Sequence, residues 1–257
     1  MTKNQIYRIA REQSAMDMCC APEDFLKKEN VVVTSGCDER ARRYLELPFA
    51  CNLVSYGKNI VASVSEELRE TVCGYISRFP AFRCFETPQL LCLDDEVRPR
   101  GFRVCFMAEY FLPNSDCLPD NVCPYPVRLL EPPAFDGFYL PAWSNALCAQ
   151  RKAFDRLCAA AYDGDTLVGL AGASEDCDGM WQIGIDVLPA YRRRGIAAAL
   201  TVHLAREVFA RGKIPFYCAA WSNLASVRNA LKCGFLPAWT ELTVKDARFT
   251  ARMNSVG

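Results

Sequence analysis

From Met180 to Val187 the chain reads as a β-strand, then runs through Leu188-Pro189-Ala190-Tyr191 into Arg192-Arg193-Arg194-Gly195-Ile196-Ala197, after which it is strongly helical to about Arg211. This passage constrains the fold more than any other. A strand that delivers the chain to a helix N-terminus presents unpaired N–H groups at the positive end of the helix dipole, and a glycine there lets a phosphate approach the backbone. Arg193 and Arg194 add cationic side chains beyond Arg192. The run is not a phosphate loop, which ends in Gly-Lys-Ser/Thr, nor a dinucleotide fingerprint, which needs three glycines and a following acidic residue.

The neighbouring elements follow from periodicity and turn signals. Val127 to Leu130 reads as a strand, Ala146 to Leu157 as a helical stretch, and Ala159–Tyr162 and Thr166–Gly172 as strands joined at the hairpin signal Asp163-Gly164-Asp165. Downstream come a helix from Gly195 to Arg211, a strand Phe216–Ala220, a helix Leu224–Cys233 and a strand Ala238–Val244. From Ala159 onward, with Met180–Val187 as the third strand, the order is β-β-β-α-β-α-β. Nearer the N-terminus, Val31–Thr34, Asn59–Val64 and Phe102–Phe106 read as strands and Ser65–Ile76 as a helix with Ser65 as its cap.

The segment Phe111 to Pro126, FLPNSDCLPDNVCPYP, gathers prolines, Asn and Asp without periodicity. The expected organisation is an N-terminal α/β domain over 1–115, a linker over 116–126 and a second domain over 127–257. Nothing in the N-terminal half announces chemistry.

In this context the residues resemble the GCN5-related N-acetyltransferase (GNAT) superfamily. Its pyrophosphate loop reads Gln/Arg-x-x-Gly-x-Gly/Ala, and Arg192, Gly195 and Ala197 fill the fixed places. Ile185-Asp186-Val187-Leu188-Pro189 is similar to the family's fourth strand and its exit. Asn223-Leu224-Ala225-Ser226 with Lys232-Cys233-Gly234-Phe235 is similar to the exit of the fifth strand and the closing helix. The resemblance covers roughly residues 127 to 245 and implies an α/β (α+β) fold, with a mixed, twisted sheet of the GNAT type behind the N-terminal α/β domain.

The resemblance also implies acetyl-CoA as acyl donor. Its pantetheine arm would lie between two strands that splay apart, held by backbone of Ile185 and Val187. The N–H groups of Arg193, Arg194, Gly195, Ile196 and Ala197 would bind the pyrophosphate, with Arg192 beside them and Asn223 contacting the pantetheine or adenine side. Asn223 also suits the N-cap of the helix that follows it.

Family members attack the thioester directly with an amine, so the protein must orient the amine, take up a proton and stabilise the departing thiolate. Two usual participants are missing. The family's acid, a tyrosine four residues before the closing glycine, is replaced by Ala230. Its glutamate base near the start of the fourth strand is replaced by Trp181 and Gln182. Substitutes for the base are Glu175, Asp178 and Asp186, and for the acid Tyr217 and Ser226. His203 shares a helical stripe with Leu200 and Leu204, which makes it a core or boundary residue rather than a base.

With Lys+Arg and Asp+Glu balanced at 30 each, the molecule offers no bulk attraction to nucleic acid or an anionic membrane. A small-molecule amine is the expected acceptor. No apolar run approaches the ~20 residues that span a bilayer, the opening residues lack the apolar core of a leader, and the expected location is cytoplasmic. Of the fifteen cysteines, an odd number with many inside apolar runs, most read as buried free thiols. With no Cys-x-x-Cys and a single histidine, no metal site is expected. An N-acetyltransferase is the first reading; the alternative is a non-catalytic acyl-CoA-binding regulatory module.

Overall fold

The computed structural model describes residues 1–255. The chain groups into two compact units: unit I, Met1–Ile9 with Phe111–Pro237, and unit II, Ala10–Tyr110 with residues from Ala238 onward. Three elements carry the chain from one unit to the other: helix α1 (Lys3–Met18), strand β4 (Phe102–Pro113) and strand β10 (Phe235–Asp246).

In unit II, β1 (Val31–Thr34), β3 (Val61–Val64), β2 (Cys51–Ser55), β10 and β4 lie in that order. The β1–β3 pair is parallel, and β2 is antiparallel to both β3 and β10. Helices α2 (Arg69–Arg78) and α3 (Thr87–Val97) close a core in which Val72, Tyr75, Ile76, Leu93 and Val97 meet Leu53, Ala62, Val64 and Leu242. The unit also holds a buried ion network. Arg42 reaches Asp17 through Nε and Glu241 through Nη2, and Glu241 takes a further bond from Trp239 Nε1 at 2.8 Å.

Unit I contains β5 (Val127–Leu130), β6 (Asp155–Asp163), β7 (Thr166–Ser174), β8 (Met180–Val187) and β9 (Ile214–Ala219), in sheet order β9-β8-β7-β6-β5. Each of the first four is antiparallel to its neighbour, and β8 and β9 are parallel. Parallel neighbours require a crossover, which α4 (Ile196–Ala210) supplies; α5 (Leu224–Lys232) follows β9 and α6 (Ala247–Asn254) ends the described chain. The architecture is mixed α/β, and from β6 to β10 strands and helices follow one another in the order read from the sequence.

Alternation along β6 divides two cores. Leu157, Ala159 and Ala161 face the cluster that contains α4, while Cys158 and Ala160 join Phe135, Trp143, Ala146 and Leu147. The latter four belong to the segment between β5 and β6. Alanines here keep both layers close to the sheet, and glycines closer still: a Cβ on Gly169 would stand 2.7 Å from Ile196 Cγ2 on α4.

Several sequence expectations need correction. Ala146–Leu157 is not an α-helix. A 3-10 turn spans Ala149–Phe154 with Arg151 at φ −128°, and β6 begins at Asp155. Tertiary pairing wins, because Leu157 is in register with Ala173 of β7. The helix read from Ser65 begins as a 3-10 turn over Glu66–Leu68 and becomes α-helical at Arg69, and Ser65 makes no side-chain cap bond. His203 is exposed rather than core, sharing a solvent stripe of α4 with Arg206 and Ala210. Helices α1, α3 and α6 and strand β2 were not legible. Phe111 and Leu112, at the head of the proline-rich segment, are fully buried in β4, and Leu118 packs into the α4 core.

Candidate active site

The pairing of β8 with β9 runs Met180–Ile214, Trp181–Pro215, Gln182–Phe216 and stops there. Both strands continue, β8 to Val187 and β9 to Ala219. Between β8 and β7 the register is kept from Gln182 through Val187, so β8 stays in the sheet while its other edge is released from β9. Unpaired strand edges present N–H and C=O groups ready to bind an extended ligand.

A cleft of about 710 Å³ opens at this point, within the size range of small-molecule sites. Ile185, Asp186 and Val187 line it from β8, Tyr217 from β9, Arg192, Arg193, Gly195, Ile196 and Ala197 from the loop and start of α4, and Asn223, Ser226, Arg228, Asn229 and Lys232 from the α5 side.

The loop into α4 is shaped as an anion cradle. Arg193 and Gly195 both adopt left-handed conformations, φ 64° and 83°. Glycine takes this conformation without strain; arginine does so at a cost of order 1–3 kcal/mol, a strain that recurs at ligand clamps. The first main-chain N–H to close a helical bond is that of Ala199, to the Gly195 carbonyl at 3.1 Å, and those of Arg193 to Ala198 donate to no backbone acceptor among the described residues. Six consecutive donors are thus left open at the positive end of a fifteen-residue helix, an arrangement able to accept an anion.

Side chains fix the loop. Arg192 Nε donates to the Val187 carbonyl at 3.0 Å, and Arg194 donates to Tyr125 Oη at 2.6 Å and to the Ala190 carbonyl. Tyr191 Oη donates to Asp163 at 3.0 Å. Arg192 and Arg194 therefore act as braces. Arg193 makes no hydrogen bond or ion pair with a described residue and lines the cleft.

Across the cleft, the Tyr217 hydroxyl donates to Ser226 Oγ at 3.3 Å. Tyr217 is 3% exposed, and burial pushes its pKa up, an effect reduced by bonds to Ser226 and Asn229. It is the first residue of β9 beyond the last β8–β9 pair. Asn223 does cap α5, its Oδ1 accepting from Ser226 N at 3.2 Å, and it also lines the cleft. Ala230, where a tyrosine was sought, is completely buried.

The acidic residues are otherwise engaged. Glu175 pairs with Arg156 at 2.6 Å, and neither Glu175 nor Asp178 lines the cleft. Asp186 does, but its Oδ2 accepts from Asn145 N (2.8 Å) and Ala146 N (2.9 Å) and its Oδ1 from Asn145 Nδ2 (2.7 Å). Its work is to hold the 141–148 segment against the sheet. Arg194 is not among the residues that line the cleft; its side chain turns to Tyr125 and the Ala190 carbonyl. Sequence reasoning missed Asn145, Arg228, Asn229 and Lys232; the last three, with Ala225, follow the i, i+3, i+4, i+7 spacing of one helix face. Trp181 lies in the core and Trp221 is exposed beyond β9.

Residues 124–235 match the model of the acetyltransferase (GNAT) family. No curated protein matches the chain. Among solved structures, a GCN5-related N-acetyltransferase from Sphaerobacter thermophilus is 16% identical, with TM-score 0.48, over 73% of this chain and 72% of its own. A GCN5-related N-acetyltransferase-like protein from Streptococcus suis 89/1591 is 19% identical, with TM-score 0.44, over 61% and 69%. A GNAT-family acetyltransferase from Colwellia psychrerythraea is 14% identical, with TM-score 0.42, over 56% and 57%. The chain thus spans between 57% and 72% of the length of these three proteins.

Proposed function

From the premise that the C-terminal half of this chain is a domain of the GNAT acetyltransferase family, we propose that it binds acetyl-CoA in the β8–β9 cleft and transfers the acetyl group directly to an amine. The observation that carries this reading is the release of β8 from β9 after Gln182–Phe216, beside six unengaged N–H groups at the start of α4. The unpaired edge at Ile185 and Val187 suits the amides of a pantetheine arm. The N–H row from Arg193 to Ala198 suits a pyrophosphate.

Acetyl-CoA supplies an activated acyl thioester; the chain's own residues position it and manage protons. The N–H row and the Arg193 side chain hold negative charge, and the braces at Arg192 and Arg194 keep that row in place before any ligand arrives, which limits the ordering cost of binding. Tyr217 is the proposed proton donor to the departing sulfur. Burial keeps its hydroxyl protonated near neutral pH, and Ser226 and Asn229 orient it. It would take, from β9, the place that Ala230 leaves empty on α5. The acceptor is proposed to be a small amine, consistent with the balanced charge of the chain.

The second reading, a non-catalytic acyl-CoA-binding module, draws on Ala230 and on the absence of Glu175 and Asp178 from the cleft lining. Thiol release from acetyl-CoA, followed over a panel of small amines, separates the two. Release that depends on one class of amine supports the transferase and names its acceptor. Tight acetyl-CoA binding with no release from any amine supports the module instead.

A further inference from the structure

One side chain of α4 is out of character with its surroundings. Thr201 is completely buried on the helix whose Leu200, Val202 and Leu204 belong to the apolar core. Its Oγ1 accepts a hydrogen bond from Asn229 Nδ2 of α5 at 3.1 Å. A valine has nearly the same shape and would bury no polar atom that needs a partner.

The bond to Thr201 fixes the Asn229 amide, which has two donor hydrogens on nitrogen and one acceptor oxygen. With Nδ2 turned to Thr201, Oδ1 accepts from the Cys233 thiol at 4.0 Å. The amide also reaches the Tyr217 hydroxyl, and its hydrogen bond there draws the pKa down against the effect of burial. A bond with that effect is one donated to the oxygen, because it favours the charged form. Two side chains of α5, Ser226 at 3.3 Å and Asn229, thus converge on Tyr217 Oη.

If Tyr217 gives up its proton, a phenolate is left at a residue that is 3% exposed, and a buried anion is costly unless donors face it. An ordinary phenol, at about 10, is already a weaker acid than a thiol, at about 8.5. Burial widens that gap, so transfer to the sulfur depends on whatever holds donors toward Oη.

Resting on the reading of Tyr217 as proton donor, we propose that Thr201 and Asn229 are positioning residues for that transfer, Thr201 holding the Asn229 amide so that its remaining N–H meets the phenolate as it forms. The thioester C–S bond breaks with its electron pair on sulfur, which takes the proton from Oη. The O–H pair stays on the phenolate oxygen, faced by Asn229 and by Ser226, whose hydroxyl rotates to donate. The proton shed by the amine goes to solvent, and the phenolate regains one from solvent after the thiol departs. Thr201 is outside the cleft lining and acts only through Asn229.

Turnover at saturating acetyl-CoA and amine, measured for Thr201→Val, Thr201→Ser and Asn229→Ala with Tyr217 present and in Tyr217→Phe, tests the relay. Thr201→Val should lower turnover about tenfold, the worth of one hydrogen bond to a charged group. Its acetyl-CoA Kd should stay within about twofold of wild type, and it should cost nothing further in Tyr217→Phe. Thr201→Ser should restore turnover. Asn229→Ala, at a half-buried position, should behave as Thr201→Val does and carries the test by itself should the valine variant not fold. Unchanged turnover in these variants, a serine variant as slow as the valine one, or a loss of the same size in Tyr217→Phe would overturn the relay and leave the acyl-donor reading intact. Wild-type turnover by Tyr217→Phe alone removes the proton donor along with its relay, and failure of the wild-type protein to bind acetyl-CoA removes the acyl-donor reading itself.

Discussion

Gly184 lies so closely beneath Asn145 that a Cβ built on the glycine would stand 1.8 Å from the Asn145 carbonyl oxygen. One strand earlier in the sheet, a Cβ on Gly172 would stand 2.0 Å from the Ala146 carbonyl oxygen. The 141–148 segment therefore rests on β7 and β8 by its backbone, and Asp186 fastens it there with three hydrogen bonds. Gly184→Ala should push the segment off the sheet and lower stability by roughly 2–3 kcal/mol or more, as overpacking against unyielding backbone does. Chemical denaturation measures this, and an unchanged midpoint would mean that the segment gives way freely.

Tyr217→Phe removes the proposed proton donor without altering packing. Turnover should fall by about 10²–10⁴-fold, the usual contribution of a positioned acid, with acetyl-CoA affinity nearly unchanged. Ser226→Ala should fall less, since it only orients the hydroxyl. Equal turnover by Tyr217→Phe and wild type would remove Tyr217 from the chemistry.

Asp155 is buried beside Tyr139, whose hydroxyl donates to Oδ2 at 3.0 Å. Burial raises its pKa to about 6, against a partial lowering by the Tyr139 bond. Because the folded value exceeds the unfolded one, Asp155 favours the fold at acid pH, and that contribution is lost as pH rises through 6. Asp155→Asn should therefore be more stable than wild type at pH 8, by roughly 2–4 °C in Tm per kcal/mol recovered, with the difference vanishing near pH 4. A pH-independent difference would contradict the assignment.

In unit II, Asp17 accepts from Arg42 N at 2.8 Å and from Arg42 Nε, and both residues are nearly inaccessible. Asp17→Asn leaves Arg42 paired only with Glu241 and should cost about 3–5 kcal/mol, the range for breaking one side of a buried ion pair. Urea unfolding gives the value. A loss under 1 kcal/mol would show that the network relaxes around the change.

The loop into α4 was legible because local signals agreed: a strand, a glycine at a helix start and a run of arginines. The two left-handed residues then follow from one turn. Which arginines face the cleft was not legible, since Arg192 and Arg194 find partners, Val187 and Tyr125, that only the folded chain brings near. The 146–157 region misled because its apolar spacing suits a helix, while its last residues are drawn into β6 by pairing with β7. The cations at 228 and 232 carry a helical spacing that could have been read. Helix α1 escaped because polar residues interrupt its apolar stripe.

The most direct measurement is a calorimetric titration of acetyl-CoA into the wild-type protein and into Gly195→Glu. The substitution forces a side chain into φ 83° and sets a carboxylate at the anion cradle. Saturable binding to wild type at one site, abolished or weakened at least about a hundredfold in the variant, is the expected result. Equal affinity for both proteins, or no binding to wild type, would contradict the placement of the acyl donor in the β8–β9 cleft.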